Sequence, residues 1–372
     1  MFLPVLLIRD YGVMGWVVFA VPNVIGAAAM GWVLRDGTSE RIVREHGATV
    51  EAFRVVTVVF QLWFVVMYLA PPTSIGGLAG ASGIRIVLIV VLAIGLLLGL
   101  RFRLGVIAWL FSVGCAAYAL SRGGMGVQPE QFQTDNGVLW LAPVCTFGFA
   151  LCPYLDPTFH QARQSLRAGQ AGAAFALGFG VLFLAMIVFT LLYADWALAV
   201  LSGRAGLESV TALAISAHIA LQLMYTCTVH ARSRIGRGPW PPARIAFVML
   251  IAAGIAWATW LIPDRFGASV GLDPREIVYR CFMAFYGLVF PAYVWLCVLP
   301  GGRPGGAGGT DRGTRAPSPR TLRVFFLTVG IAAPFFWMGF IERHEIWLAP
   351  GLGIVLLARL FVRPRPSSRS QD

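Results

Sequence analysis

The chain has 372 residues, of which 58% are hydrophobic and 12% charged, with a mean hydropathy of +0.75. This composition excludes a soluble globular protein and predicts an all-α integral membrane protein. The 29 basic residues are all arginine, which excludes lysine Schiff-base chemistry. They lie in short loops between apolar runs, so the net charge of +12 indicates membrane topology and argues against nucleic-acid binding.

Eleven apolar runs are long enough to cross a bilayer as helices, which takes about 17 to 25 residues. The predicted spans are 12–34, 53–70, 84–100, 104–121, 137–154, 172–194, 208–229, 243–262, 277–299, 322–340 and 345–362. Alternate connections carry 21 of the arginines and the others carry 8. Because cytoplasmic loops are enriched in positive charge, the N-terminus is predicted outside and the C-terminus in the cytoplasm. The Arg-, Gly-, Ala- and Pro-rich composition is typical of a bacterial chain and so of an inner-membrane protein.

The first two spans each contain polar residues deep in an apolar run. Val21-Pro22-Asn23 predicts a break, at which Asn23 either caps the carbonyls freed by the proline or faces a cavity. Gln61 and Tyr68 are seven residues apart and therefore share a helical face. Between the two spans, residues 39–54 predict a short amphipathic helix on the cytoplasmic surface, with Ser39 as its N-cap.

The stretch from Gly137 to Arg163 combines an apolar helix with an internal proline, a Cys-Pro break, an Asp-Pro pair and a basic tail. A proline within hydrocarbon frees backbone carbonyls, so Pro143 and Pro153 require protein or water close by. This segment is therefore predicted to line a cavity and to hold a binding site.

The seventh predicted span carries the strongest polar stripe of the sequence. Thr211, His218, Gln222 and Tyr225 follow one another at intervals of seven, four and three residues and so lie on one helical face. A histidine at this depth either carries a proton or contacts a solute, or it only hydrogen-bonds a neighbouring helix.

The sequence lacks the motifs of common enzymes and metal sites. It contains no HExxH, no P-loop and no GxSxG motif. The six cysteines form no CxxC pair and lie in or beside apolar runs, which indicates buried structural residues. No carboxylate lies at the centre of a predicted span, as a proton carrier of that kind would require. We therefore expect no enzymatic activity.

Residues 300–320 are rich in Gly, Pro and Arg and predict a cytoplasmic linker, because such a segment buries too little apolar surface to fold. The linker divides the chain into a transmembrane core, 1–299, and a C-terminal part, 321–372, with two additional helices and a basic tail.

Three features resemble the solute:sodium symporter family. Gly12 to Leu34, followed by a basic connection and REHGATVEAFRVVTVVFQLWFVVMYL, is similar to that family's second and third core helices. GFALCPYLDPTFHQARQ resembles the sixth core helix with its basic amphipathic tail. The order and spacing of the spans up to residue 299 are similar as well.

This resemblance implies the five-helix inverted repeat of the leucine-transporter-type fold, with an incomplete first repeat in 1–121 and a second in 137–299. The first core helix would be reduced to Met1–Ile8. The resemblance also implies Thr211 and Ser216 as sodium ligands, although His218 and Gln222 interrupt the run of small residues expected there. Sodium is the one ion implied, and no other cofactor is expected.

Together these observations predict a secondary-transporter-like protein that moves a small, neutral or weakly anionic organic solute, coupled to a cation. The alternative is a non-transporting accessory or sensory subunit on a degenerate transporter scaffold, in contact with a partner membrane subunit. A lipid-modifying enzyme with His218 as general base is a weaker hypothesis, since no acidic residue lies within a helical turn. The predicted solute-binding residues are Asn23, Gln61, Tyr68, Trp140, Thr146, Gly148, His218 and Gln222.

Overall fold

The computed structural model describes residues 2–35, 37–69, 103–121, 135–201, 210–301 and 316–362. These residues are almost wholly helical and form no strand, which confirms the predicted all-α class. The helices are α1 (Leu3–Val33), α2 (Thr38–Phe64), α3 (Arg103–Ser121), α4 (Val138–Leu151), α5 (Pro157–Ser165), α6 (Ala171–Leu177), α7 (Leu184–Leu201), α8 (Val210–Ala231), α9 (Pro242–Trp260), α10 (Asp264–Val270), α11 (Pro274–Ala284), α12 (Phe290–Tyr293), α13 (Pro319–Phe340) and α14 (Leu348–Leu357). Wider π-helical turns extend or join several of them, at Val65–Leu69, Gly178–Phe183, Phe285–Val289 and Val294–Val298.

Six helical stretches of the described residues are long and apolar enough to cross a membrane: Leu3–Val33, Thr38–Met67, Ala171–Asp195, Pro242–Trp260, Pro274–Val298 and Pro319–Phe340. Val138–Tyr154 and Pro157–Ser165, bent by 54°, give a seventh if they form one broken span. Ten of the eleven predicted runs coincide with helices, and 84–100 lies outside the described residues. The long apolar helices indicate a multi-pass membrane protein; eleven spans and the inverted repeat stay predictions.

Helix α1 breaks at a different residue from the one predicted. It continues through Pro22 with helical backbone angles, whereas Gly12 adopts φ 65° and ψ −162°, a conformation that glycine reaches without strain. The break separates a nine-residue segment, Leu3 to Tyr11, from the rest of the helix. Val5 and Ile8 of this segment are almost completely buried, so the short helix predicted from Met1–Ile8 is packed into the core.

The predicted amphipathic helix, 39–54, does not form with those bounds. Helix α2 runs from Thr38 to Phe64, and His46, with φ −120° and ψ 20°, interrupts it, so the segment before the kink is a short helix joined to the longer one. Ile42, on the predicted surface helix, is buried. Ser39 is not the N-cap, because Gly37 occupies that position and the Ser39 hydroxyl is hydrogen-bonded to His160 Nδ1 at 3.0 Å. Tertiary packing therefore overrides the local pattern at this position.

Two large groups of buried apolar side chains hold most of the described helices together, and a small third one lies at Leu272, Ile277 and Ile341. The first joins α1, α4, α12 and the last two helices, and it includes Phe19, Val144 and Phe336. The second joins α2, α8, α9 and α11, and it includes Trp63 and Ile219. Side chains of both groups line a shared cavity, so the cavity lies where the two groups of helices meet.

The predicted linker, 300–320, lies mainly outside the described residues. Helix α13 begins at Pro319, within the last residues of the predicted linker. The Ser318 hydroxyl caps this helix by accepting a hydrogen bond from the Thr321 N–H at 3.1 Å. The two helices after the linker pack on the first apolar group through residues such as Phe325 and Leu348. They are part of the same core.

Candidate functional site

A cavity of about 480 Å³ lies between the two groups of helices. Its walls come from the first turns of α1, from α2, α4 and α8, and from the stretch that begins with α11. Most of the lining side chains are apolar or aromatic, and the polar ones are distributed over several helices. Such a mixture is typical of sites that hold a small organic molecule.

Helix α4 contributes one wall of the cavity because glycine allows it to lie close to the chain after α11. An added Cβ atom at Gly148 would be 2.7 Å from the backbone oxygen of Tyr286. One turn later, the Cys152 thiol donates a hydrogen bond to the same oxygen at 3.2 Å. This carbonyl lies in the π-helical turn Phe285–Val289, where wider winding changes the usual hydrogen-bond pattern.

The bend after α4 places a carboxylate at the edge of the cavity. Asp156 is the N-cap of α5 and accepts hydrogen bonds from the Thr158 N–H at 2.8 Å and the Thr158 hydroxyl at 2.6 Å. The break that the sequence predicts at Cys152-Pro153 thus brings an acidic side chain into the cavity wall.

Helix α2 and the π-helical turn after α11 supply neutral polar groups. The hydroxyls of Thr57 and Tyr286 are 2.9 Å apart and hydrogen-bonded to each other. The ring of Phe53 packs edge-on against Tyr286, with a centroid distance of 5.6 Å. Gln61, one helical turn after Thr57, also lines the cavity. A solute at this level would meet hydroxyl and amide groups set among aromatic rings.

Helix α8 presents a polar stripe to the cavity at regular intervals of four residues: His218, Gln222, Thr226 and His230. Ser112 of α3 accepts a hydrogen bond from Gln222 Nε2 at 2.8 Å and lies 2.7 Å from His218 Nδ1. The Ser112 hydroxyl also lies 2.7 Å from the Ala108 carbonyl. This network joins His218 and Gln222 of α8 to α3.

One end of the cavity is closed by a cluster of ion pairs. Arg280 lines the cavity and contacts Asp10 at 2.6 Å and Glu276 at 2.7 Å. Arg9 binds both Glu276 oxygens, at 2.7 and 2.8 Å. The Tyr11 hydroxyl, also in the wall, donates to Glu345 at 2.6 Å. The cluster joins the segment before the Gly12 break to α11 and to the residues after α13.

A second polar cluster lies beside the other end, where α8 terminates. Arg54 is completely buried and donates to the carbonyls of His230, Ala231 and Gly238 at 2.6 to 3.0 Å. Its guanidinium lies over the Trp240 ring, 4.5 Å from the centroid. Because the last carbonyls of a helix lack intrahelical donors, Arg54 caps the end of α8.

Four of the predicted binding residues line this cavity: Gln61, Gly148, His218 and Gln222. Trp140 and Thr146 are exposed on the opposite face of α4, as is Pro143, and Asn23 of α1 is half-buried outside the cavity wall. The side chains of Tyr68, Thr211 and Ser216 lie outside the described residues. Tyr225, also part of the predicted stripe, packs instead against α3 at Gly105.

The residues that sequence reasoning missed in the wall are polar groups near helix ends or on other helices. Thr226 and His230 continue the four-residue spacing from His218, so a longer search along α8 would have found them. Asp156 belongs to the stretch predicted to line a cavity but was not named as a binding residue, and no local pattern places Arg280 beside a cavity. Tyr286 depends on a π-helical turn that no local pattern indicates.

Within the described ranges, no group of three or more His, Cys, Asp or Glu side chains is placed to hold a metal ion. Comparison with protein-family models, with curated proteins and with solved structures finds no match. The functional argument therefore rests on the cavity and its walls.

Proposed function

We propose that this protein binds a small organic solute in its central cavity and moves it across the bilayer as a secondary transporter. The single observation that carries the proposal is a solute-sized cavity inside a bundle of apolar helices, with charged side chains at two of its edges. A volume near 480 Å³ falls within the range of about 300 to 1,000 Å³ that is usual for small-molecule sites.

The wall chemistry supports a mainly apolar solute with one or two neutral hydrogen-bonding groups. Thr57, Gln61 and Gln222 offer hydroxyl and amide groups, and aromatic rings such as Phe53 surround them. Arg280 is already paired with two carboxylates, so it offers little free charge to a strongly anionic molecule. A neutral or weakly charged amphipathic molecule therefore fits the site best.

We propose further that the chain crosses a bacterial inner membrane eleven times with its N-terminus outside, and that its helices form an inverted repeat like that of the solute:sodium symporters. The arrangement of arginines supports the orientation. Arg9, Arg280 and Arg343, from the arginine-poor connections, gather around Asp10. Arg54 and Arg244, from the arginine-rich connections, gather around Glu51.

Transport is tested by uptake into proteoliposomes, with a panel of labelled amphipathic solutes and with a cation gradient present or absent. Solutes that bind are first selected by the increase in melting temperature that they cause. Gln61→Leu removes a polar group from the wall and is expected to weaken binding of such a solute about tenfold. Thr146→Val on the exposed face of α4 is the matched control and should bind as the wild type does.

If no solute stabilises the protein or is taken up, the transport proposal fails. Binding without uptake would instead favour the alternative of a sensory or accessory subunit that retains the cavity. Equal effects of Gln61→Leu and Thr146→Val would show that the solute binds elsewhere.

A further inference from the structure

His230 and Asp156 lie opposite each other at one end of the cavity. His230 Nε2 is 4.0 Å from Asp156 Oδ1, and both residues belong to the cavity wall. His230 stands one residue before the end of α8 and is 3% exposed, whereas Asp156 caps α5. The pair thus joins the polar stripe of α8 to the bend after α4.

Neither side chain is fully satisfied by the described part of the chain. His230 Nδ1 is buried and has no hydrogen-bond partner there. Asp156 receives both of its hydrogen bonds on Oδ1, from Thr158. Buried polar atoms nearly always have partners, so an unsatisfied imidazole facing a carboxylate is a feature that calls for a function.

We propose that His230 and Asp156 form a proton-binding site, and that a proton is the cation coupled to solute movement. The coupling rests on the proposed transport function, whereas proton binding does not. A proton from water in the cavity attaches to the free lone pair of the neutral imidazole, and the resulting imidazolium faces the Asp156 carboxylate. On loading, an O–H bond of a hydronium ion breaks as the N–H bond forms; on release, the N–H bond breaks and the proton returns to water.

The charged groups from α2 and α9 oppose protonation of His230. Arg54 donates to the backbone oxygen of His230 at 2.6 Å, and Arg244 lies in the same cluster. Glu51 contacts both arginines, at 3.3 and 2.8 Å, so the three side chains together carry a net charge of +1. Burial of the imidazole is the largest influence against a permanently charged His230, and repulsion from this cluster adds to it.

The groups from α5 and from the chain after α11 either favour protonation of His230 or have no charge that affects it. Asp156 forms no ion pair with an arginine of the described residues, so its charge is free to attract a proton to His230. His160 of α5 is bonded on both ring nitrogens, to Ser39 and to the Tyr154 carbonyl. The Tyr286 hydroxyl is bonded to Thr57, and α3 faces α8 with Ala108 and Ser112, which do not titrate. Opposing influences of this kind make proton binding reversible, as coupling requires.

The stripe on α8 connects this site to the solute. Thr226 lies one helical turn from His230, and Gln222 lies one turn further along the same wall. A solute bonded to these residues therefore contacts the helix face that ends at the proton site. His218, about 18 Å along the helix from His230, is bonded to Ser112 and is not part of the pair.

Proton binding is tested by histidine-selective ¹⁵N NMR on the full-length protein in micelles, since the chain has only five histidines. His230→Gln assigns the signal. If that variant does not fold, the signal is assigned by exclusion from variants of the other four histidines. The His230 signal is expected to change from that of a neutral ring to that of a protonated ring as the pH is lowered from about 8 to 4. Asp156→Asn keeps a good N-cap for α5 and should lower the midpoint by about one pH unit or more.

His160→Gln is the matched control, because His160 is equally buried but does not line the cavity. It should leave the His230 midpoint unchanged. A His230 signal that does not change between pH 8 and 4, or that has the same midpoint in Asp156→Asn, overturns the proton site.

Coupling is tested with the same variants in proteoliposomes, by comparing an inward proton gradient without sodium with a sodium gradient at equal pH. We expect the proton gradient to stimulate uptake several-fold in the wild type, and the ratio of uptake with and without the gradient to fall to about one in His230→Gln. Stimulation by sodium alone, or stimulation that survives in His230→Gln, contradicts the coupling. Uptake of no solute under any gradient removes the transport function instead, and the titration then decides the proton site by itself.

Discussion

At the scale of single residues, Arg54 is the side chain on which the end of α8 depends most. Its guanidinium is completely buried, yet every described contact it makes is polar or aromatic: three backbone carbonyls, Glu51 and the Trp240 ring. A planar group with five donors meets these directions at once, which a lysine ammonium cannot do.

Arg54→Ala is expected to lower the free energy of unfolding by about 3 to 5 kcal/mol, because it leaves the carbonyls at the end of α8 without donors and Glu51 without one of its arginines. Denaturant titration in micelles measures this loss. Arg237→Ala, at an exposed arginine in the connection after α8, should change the free energy by less than about 0.5 kcal/mol. Equal losses in the two variants would contradict the capping role.

At the scale of elements, the position of α4 depends on one close approach. Gly148 faces the backbone of the π-helical turn after α11, and the Cys152 thiol donates to the same carbonyl. Backbone atoms cannot rotate away as a side chain does, so an added methyl group must displace one of the two helical segments.

Gly148→Ala is therefore expected to destabilise the protein by about 1 to 3 kcal/mol and to weaken solute binding, since both segments are cavity walls. Gly254→Ala in α9 is the matched control, because no atom lies within 4 Å of its added Cβ. Denaturant titration should find the stability of the control unchanged or slightly raised. A Gly148→Ala protein as stable as the control would mean that the two segments separate at no cost.

The start of α11 gives a prediction with a defined dependence on pH. Asp273 caps this helix by accepting a hydrogen bond from the Arg275 N–H at 2.8 Å. Burial opposes ionisation of this carboxyl, but the hydrogen bonds from Arg275 outweigh it and hold the pKa of Asp273 below its usual range. A lowered folded-state pKa means stabilisation that is complete above the unfolded-state pKa, near 4, and is lost as the pH falls below it.

Asp273→Ala should thus cost about 1 kcal/mol at pH 7, which is typical of a lost N-cap. Thermal unfolding measured from pH 7 down to pH 3 should show the difference from wild type shrinking at the acidic end. Asp273→Asn, which retains the cap but not the charge, serves as the control and should be much less destabilised at neutral pH. A difference that grows on acidification would contradict the assignment.

At the scale of the whole molecule, five described arginines form two clusters that match the two sets of connections: Arg9, Arg280 and Arg343 in one, and Arg54 and Arg244 in the other. The arginine-poor connections meet at Asp10, Glu276 and Glu345, and the arginine-rich ones meet around Glu51 and the end of α8. If each cluster lies at one membrane surface, as the positive-inside rule requires, they mark the outside and the cytoplasmic side.

His344→Cys and Arg237→Cys test this orientation, because each is exposed in a connection of one set. The background carries Cys281→Ser, since Cys281 is the exposed native cysteine. A membrane-impermeant maleimide added to intact cells should label the cysteine at 344, and the one at 237 only after permeabilisation. The opposite pattern would reverse the topology, and labelling of both in intact cells would contradict a cytoplasmic position for residue 237.

Much of the helical architecture was predictable because apolar length alone determines a membrane helix. The runs at 243–262 and 322–340, for example, agree with α9 and α13 within a few residues. The breaks were harder to predict. Helix α1 continues through Pro22 but is interrupted at Gly12. Ser39 does not cap α2, because its hydroxyl is hydrogen-bonded to His160. A break or cap depends on which neighbour satisfies the freed backbone group, and that neighbour is distant in sequence.

The cavity, too, was predictable from the sequence only in part. The sequence by itself determined that helices form, that the stretch after Gly137 is interrupted, and that His218 and Gln222 share a helical face, since hydropathy and helical period are local properties. Only the tertiary structure decided that Tyr286, Asp156 and His230 complete the wall and that Trp140 and Thr146 face away from it. Which face of an apolar helix meets lipid and which meets another helix depends on packing, and in hydrocarbon both surroundings are equally apolar, so composition does not distinguish them.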